Sequence, residues 1–123
     1  MRGGVRYTKV YELSERRRLL ARKWRKYLYY DEIQGRELQG VPTSNILRVH
    51  RPSRKLLQLS GSEQKDKLER GAVNLVKVLA QRARLPLNTF GVSGSVLLGL
   101  HERESDIDII AYGSETAKRV HRT

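Results

Sequence analysis

The sequence predicts an α/β (α+β) protein, in which a basic helical segment precedes a small domain with a short mixed sheet flanked by helices. Apolar residues recur at helical spacing in two stretches, which indicates amphipathic helices. A run rich in isoleucine near the C-terminus ends at a glycine, a pattern typical of a strand. The chain has 123 residues, enough for one domain with a modest core.

Charge divides the chain into two parts. Residues 1–60 contain 15 Lys/Arg and 5 Asp/Glu, a net charge of +10, whereas residues 61–123 contain 10 and 8, a net charge of +2. We therefore predict a basic N-terminal segment at 1–60, with one helix and an irregular loop, and a folded domain at 61–123. A polyanion such as RNA or DNA is the partner that this asymmetry favours.

Composition excludes several classes of protein. The chain has no cysteine, so neither disulfides nor thiolate-bound zinc can stabilise it. It contains no apolar run long enough for an ordinary transmembrane helix, and its first residues lack the apolar stretch of a signal peptide. We expect a cytoplasmic protein without a transmembrane segment.

The first predicted element is a basic helix that Ser14 caps and that runs to about Tyr30. Its cations and aromatic rings interleave, which suits a single-stranded nucleic acid, because rings stack on unpaired bases and cations neutralise phosphates. Two other interpretations stay open: a helix docked through its aromatic stripe, with a solvated cationic face, and a helix on an anionic membrane surface. The residues predicted to contact nucleic acid are Arg16, Arg17, Arg18, Arg22, Lys23, Trp24, Arg25 and Lys26.

Residues 31–60 have no sustained period, and we predict a loop with one short strand or helix around Leu56–Leu59. The next helix is predicted to begin after Ser62 and to reach about Arg82. Its expected apolar stripe consists of Leu68, Ala72, Leu75, Val76 and Leu79.

The last third of the chain alternates short strands with short helices. A strand from Thr89 to Val92 leads through a small-residue turn into a helix from Val96 to about Leu100. A polar connection follows, and then the clearest strand of the chain, Asp106–Tyr112. Gly113 ends that strand, and Ser114 is predicted to cap a final helix.

The strand predicted at Asp106–Tyr112 begins with two carboxylates. Since strand side chains alternate, Asp106 and Asp108 share one face, about 6.6 Å apart at their backbones, while Ile107 and Ile109 face the opposite side. From one face, both carboxylates can bind a pair of divalent cations, and oxygen-only ligands favour Mg²⁺ or Mn²⁺. The alternative is that Asp-Ile-Asp is only a polar edge where a strand meets solvent.

The small-residue turn contains Gly94 and Ser95. Glycine lets backbone amides approach an anion at a strand-to-helix turn, and the Ser95 hydroxyl can donate to a phosphate oxygen. The alternative is that Ser95 is a helix cap and Gly94 a tight turn. The sequence has neither GxxxxGK[ST] nor GxGxxG, so it lacks two common phosphate-binding loops.

The combination of strand, Gly94-Ser95, ten further residues and Asp106-Ile107-Asp108 resembles the signature of the DNA polymerase β-type nucleotidyltransferase superfamily. The resemblance covers about residues 66–120. It implies that Gly94 and Ser95 bind the triphosphate of a nucleotide, and that Asp106 and Asp108 are catalytic ligands of Mg²⁺ or Mn²⁺. The implied reaction transfers a nucleoside monophosphate to a hydroxyl and releases pyrophosphate.

One departure from this family concerns a third carboxylate, which the family takes from a later strand. The one carboxylate residue after Asp108 is Glu115, at the start of the last predicted helix. Three explanations stay open: the chain is a truncated piece of a longer protein, a partner subunit or second copy completes the sheet, or the domain is an inactive relative. The alternative function is therefore a non-catalytic nucleic-acid-binding or assembly protein on the same fold.

The three histidines, His50, His101 and His121, are scattered without the spacing of metal ligands. We assign none of them a role. His101 lies in the connection before the Asp-Ile-Asp strand, where we expect an exposed loop side chain.

Overall fold

The computed structural model describes residues 3–123 and has five α-helices and four strands within that range. Residues 1 and 2, which fall in the predicted N-terminal segment, lie outside the described residues. The mixture of helix and strand confirms the predicted α+β class. The chain forms two compact units: Arg6–Val49, and a C-terminal unit that consists of His50–Thr123 together with residues 3–5.

The C-terminal unit begins at His50, before the boundary predicted at residue 60. The reason is a complete helix, α2 (Pro52–Gly61), where only a short element was predicted. This helix packs so closely on strand β3 (Phe90–Val92) that a Cβ added at Gly91 would lie 2.7 Å from the Cβ of Pro52. Because α2 also buries two leucines in the core, it belongs to the C-terminal unit.

The N-terminal unit consists of one helix and one hairpin, joined and followed by short 3₁₀ turns. The helix begins after Glu12 rather than Ser14: the Glu12 carboxylate accepts from the Ser14 backbone N–H at 3.3 Å. The elements are α1 (Leu13–Lys23), a 3₁₀ turn (Arg25–Tyr27), β1 (Leu28–Asp31), β2 (Arg36–Gln39) and a second 3₁₀ turn (Thr43–Asn45).

The helix predicted to reach Tyr30 ends at Lys23, and the residues after it form a turn and the first strand of the hairpin. Trp24 leaves the helical region, at φ −142° and ψ 53°. Consecutive tyrosines favour a pleated surface, and a turn stabilises the pairing of the two strands. In that turn, the Asp31 carboxylate accepts from the Gln34 N–H at 2.7 Å, and Gly35 adopts a φ of +61°. Pairing with the neighbouring strand β2 therefore overrides a helical pattern that continues in the sequence.

The C-terminal unit follows the predicted order of helices and strands with shifted ends. Its second helix, α3, is capped by Asp66 and not by Ser62. The remaining elements are α3 (Lys67–Ala83), a 3₁₀ turn (Leu87–Thr89), β3 (Phe90–Val92), α4 (Gly94–Leu98), β4 (Ile109–Ala111) and α5 (Ser114–His121).

Both sheets of the described residues are two-stranded and antiparallel, so the prediction of a mixed sheet is wrong. In the N-terminal unit, β1 pairs with β2 from Leu28↔Gln39 to Asp31↔Arg36. In the C-terminal unit, β3 pairs with β4 from Phe90↔Ala111 to Val92↔Ile109. This second register brings the residues after Val92 close to those before Ile109.

The core of the C-terminal unit lies between α2, α3 and the β3–β4 sheet. Two of the five positions of the predicted α3 stripe, Ala72 and Val76, are fully buried, and Leu68 and Leu79 pack against the core from its edge. The prediction that Leu75 belongs to the buried stripe is wrong, because this side chain is 41% exposed. The buried residues of the cluster are Leu56, Leu59, Ala72, Val73, Val76, Ala80, Phe90, Val92 and Val96.

Candidate functional site

The candidate site lies where the end of β3 meets the residues before β4. One residue beyond the last strand pair, the Ser93 backbone N–H donates to the Asp108 carbonyl oxygen at 2.8 Å. The Gly-Ser turn and the second aspartate, which are more than ten residues apart in the sequence, are therefore neighbours in the fold.

Gly94 directly adjoins the Asp108 side chain. A Cβ added at Gly94 would lie 1.9 Å from Oδ2 of Asp108 and 2.9 Å from its Cγ, so any larger residue would displace the carboxylate. Gly94 also has a φ of +60°, a conformation that other residues adopt only at a cost. Backbone conformation and available space thus require glycine here for two separate reasons.

Asp106 and Asp108 are both exposed, whereas the isoleucines that alternate with them pack inward. Ile107 lies against α3, since its Cδ1 would be 3.4 Å from a Cβ added at Gly71. The alternation predicted for this stretch therefore holds, although the paired strand begins only at Ile109, so that both aspartates lie in the extended connection before it. Within residues 3–123, neither carboxylate makes a side-chain hydrogen bond or an ion pair, and both can accept a ligand.

Ser95 is the second residue of α4 and is half-buried. Ser93 occupies the N-cap position of this helix, without a side-chain hydrogen bond to the first turn, so the alternative that Ser95 is the cap is wrong. Its hydroxyl makes no hydrogen bond to any other part of the chain that the structure describes. Gly99, in the left-handed conformation at a φ of +67°, ends this helix.

A second polar cluster, which the sequence did not predict, lies at the N-terminus of α3. Asp66 and Glu69 form a capping box: Oδ1 of Asp66 accepts from the Glu69 N–H at 2.8 Å, and Oε2 of Glu69 accepts from the Asp66 N–H at 3.1 Å. Nε2 of His101 lies 2.6 Å from the other oxygen of Asp66, Oδ2. The spacing Asp66-x-x-Glu69 is the sequence signal that identifies such a box.

His101 is not the exposed loop residue that we predicted. Its side chain is 11% exposed, and it joins the connection between α4 and β4 to the start of α3. The hydrogen bond that the Glu69 backbone N–H donates to Asp66 holds the pKa of the Asp66 carboxyl below its usual value. The hydrogen bond with His101 and the charge of that histidine lower the same pKa further. The cluster therefore anchors the connection that leads to Asp106.

Ligand atoms of Asp66, Glu69 and His101 lie within 4.8 Å of one another, a distance compatible with a shared cation. The capping box and the histidine contact already satisfy three of the four carboxylate oxygens. Nδ1 of His101 is buried without a hydrogen-bond partner among the described residues. Because contacts within the chain account for most of the carboxylate oxygens, we assign the cluster a structural role.

Glu115, the one carboxylate residue that follows Asp108, is exposed in the first turn of α5. Its Oε1 accepts from Nζ of Lys118 at 2.8 Å, a contact between residues of neighbouring helical turns. Glu115 lies on a helix, as predicted, and not on a further strand beside the two aspartates.

The eight residues predicted to contact nucleic acid all lie in the N-terminal unit, five on α1 and three after it. Two of their cations have partners within that unit: Arg16 donates to the Val10 carbonyl oxygen at 2.9 Å, and Arg17 pairs with Glu37 at 2.6 Å. The Nζ atoms of Lys23 and Lys26 lie over the rings of the residues that follow them, 5.9 and 5.2 Å from the ring centres.

Comparison with known proteins yields one relative among curated proteins that bears on this chain. An uncharacterized protein of Methanocaldococcus jannaschii is 33% identical over 116 residues, which are 94% of this chain and 34% of the relative. The chain thus spans about a third of that relative's length. No family model matches the sequence, and no solved structure matches it. Within residues 3–123, no helix is both long enough and apolar enough to cross a membrane.

Proposed function

We propose that the C-terminal unit binds a nucleoside triphosphate together with Mg²⁺, in the manner of the polymerase β-type nucleotidyltransferases that its motif resembles. One observation carries this proposal. Gly94 lies against the Asp108 side chain, so a turn of the kind that binds phosphates is next to a carboxylate that can bind a cation. A tight turn by itself would explain Gly94, and a polar edge where a strand meets solvent would explain Asp106-Ile107-Asp108. Neither explanation predicts that Gly94 contacts Asp108.

The residues of the candidate site suit both parts of the proposed ligand, the triphosphate and the cation. Gly94 and Ser95 are half-buried, and their backbone N–H groups and the Ser95 hydroxyl offer hydrogen-bond donors to phosphate oxygens. Asp106 and Asp108 are exposed carboxylates without protein partners in the described chain, and hard oxygen donors of this kind prefer Mg²⁺ or Mn²⁺. When bound, the cation neutralises phosphate charge, which reduces the repulsion between the triphosphate and the two aspartates.

Transfer of the nucleoside monophosphate to a hydroxyl is a further part of the proposal. It requires a group that takes the proton of the attacking hydroxyl. The two aspartates of the site are assigned to the cation, and Glu115 is engaged with Lys118. The proposed transfer therefore needs a proton acceptor from outside this site, whereas nucleotide binding needs only the four residues named.

We also propose that the protein is located in the cytoplasm.

Isothermal titration calorimetry with ATP and GTP, with and without Mg²⁺, tests the binding step. We expect heat of binding only when Mg²⁺ is present, and its loss in Asp106→Asn and Asp108→Asn, because each removes an anionic ligand without changing the size of the side chain. Glu104→Gln is the matched control, since it removes an equal charge from the same connection. Binding that is unchanged in both aspartate variants would contradict the site.

A further inference from the structure

The N-terminal unit exposes its apolar and aromatic side chains instead of burying them. No residue of Arg6–Val49 is buried. Six of the eight aromatic residues of the chain lie in this unit, among them Tyr7, Tyr11, Trp24, Tyr29 and Tyr30, whose exposed fractions range from 46% to 76%. A surface of this kind typically marks a site of interaction with another molecule.

The same unit is strongly basic. It contains 11 Lys/Arg and 5 Asp/Glu, a net charge of +6 over 44 residues. Within this unit, the one ion pair between side chains is Arg17 with Glu37, so that most of its cations have no anionic partner there. Charge complementarity therefore favours a polyanion as the partner.

Cations and rings interleave from Arg22 to Tyr27, and two more rings follow at Tyr29 and Tyr30. We call the whole stretch, Arg22–Tyr30, the basic–aromatic segment. It includes the end of α1, the 3₁₀ turn and β1. Strand alternation places Tyr29 and Tyr30 on opposite faces of the hairpin. The Tyr29 ring packs over Gly40, where an added Cβ would lie 2.9 Å from its Cε1, and this contact restricts the ring while half of it remains exposed.

We propose that the basic–aromatic segment binds single-stranded nucleic acid. Exposed rings stack on unpaired bases whatever the base is, and adjacent cations neutralise the phosphates between them. In a duplex the bases already stack on one another, so the rings would gain little from it. A membrane-binding helix would instead carry its apolar residues along one face, whereas these rings lie on a turn and a strand. The proposal does not depend on nucleotide binding by the C-terminal unit.

Fluorescence anisotropy with a labelled 15-nucleotide strand of mixed sequence tests this proposal. RNA and DNA versions of the strand show which of the two nucleic acids the segment binds more tightly. A duplex of the same sequence tests the preference for unpaired bases. Trp24 is the one tryptophan of the chain, so quenching of its fluorescence reports stacking directly. We expect quenching by the single strand and weaker binding of the duplex.

Substitutions separate stacking from charge. Tyr30→Ala should weaken single-strand binding roughly 5- to 150-fold, the range expected when one base loses its stacking partner. Arg22→Ala combined with Arg25→Ala should reduce the slope of log K against log salt by about 0.7 for each phosphate contact that is lost. Tyr112→Ala is the matched control, because Tyr112 is an exposed ring of the C-terminal unit, and it should have no effect.

Several outcomes would overturn the proposal. Equal affinity for duplex and single strand without tryptophan quenching would indicate a purely electrostatic contact. Binding to vesicles with anionic lipids, without binding to either strand, would indicate a membrane surface. Should Tyr30→Ala change the far-UV circular dichroism spectrum, Tyr30→Phe and Tyr30→Leu replace it. The first variant keeps the ring and should retain binding, whereas the second removes the ring and should weaken binding; equal binding by the two would contradict stacking by Tyr30.

Discussion

At the scale of single residues, Gly94 is the position on which the candidate site depends most. Substitution by alanine would place a methyl group against the Asp108 carboxylate and would force a non-glycine residue to a φ of +60°. Gly94→Ala should therefore abolish Mg²⁺-dependent nucleotide binding and lower the free energy of unfolding by about 1–2 kcal/mol. Calorimetric titration and urea unfolding measure the two effects.

Gly99→Ala is the control for that prediction. Gly99 has nearly the same φ, +67°, but no atom lies within 4 Å of a Cβ added there. This variant should lose a similar amount of stability while nucleotide binding is retained. Loss of binding in both variants would show that helix α4, and not the contact with Asp108, is what matters.

At the scale of elements, helix α3 depends on the capping box of Asp66 and Glu69. Because the folded-state pKa of Asp66 is lowered, its contribution to stability is fully present above the ordinary value of 3.8 and is lost as the pH falls through the lower folded value. Asp66→Asn keeps a cap but removes the charge, so the difference in stability between wild type and variant should shrink as the pH is lowered below 3.8.

Urea unfolding followed by circular dichroism at 222 nm measures this difference across the pH range. Asp66→Ala should cost about 1 kcal/mol at neutral pH, because it removes the cap altogether. A difference between wild type and Asp66→Asn that stays constant from neutral to acidic pH would show that the carboxylate charge does not contribute.

The elements also show which helices and strands can be predicted from local sequence patterns. From residue 61 onward, the predicted order of helix, strand, helix, strand and helix is confirmed, because local apolar patterns and breakers such as Pro86 and Gly113 mark these elements. In the N-terminal unit, the apolar pattern continues through Trp24–Tyr30, but pairing with β2 makes these residues a turn and a strand. Helical spacing alone does not reveal a partner strand that lies several residues further along the chain.

At the scale of the whole molecule, the β3–β4 sheet has two strands, so within the described residues each strand has one edge without a partner strand. All three residues of β3 are buried, whereas those of β4 are half-buried, so the edge of β4 is the more accessible of the two. Unpaired edges favour association with another strand. We propose that a second copy or a partner subunit covers one of them. Light scattering after gel filtration should then give a mass above the 14.2 kDa of one chain, at a protein concentration of tens of micromolar.

Nuclease treatment and about 0.5 M salt exclude association through bound nucleic acid, since such contacts weaken steeply with salt. The mass should increase with protein concentration under those conditions. A mass of one chain over the whole concentration range would show that the edges stay unpaired.

The sequence by itself determined the α+β class, the order of elements after residue 61 and the residues that make up the candidate site, Gly94, Ser95, Asp106 and Asp108. Each of these depends on local pattern: helical or strand alternation, a breaker, or a residue type. Only the tertiary structure decided that Gly94 lies against Asp108, that His101 joins Asp66, and that the C-terminal unit begins at His50. These are contacts between residues distant in the chain, and packing decides them, because no local spacing specifies which segments meet.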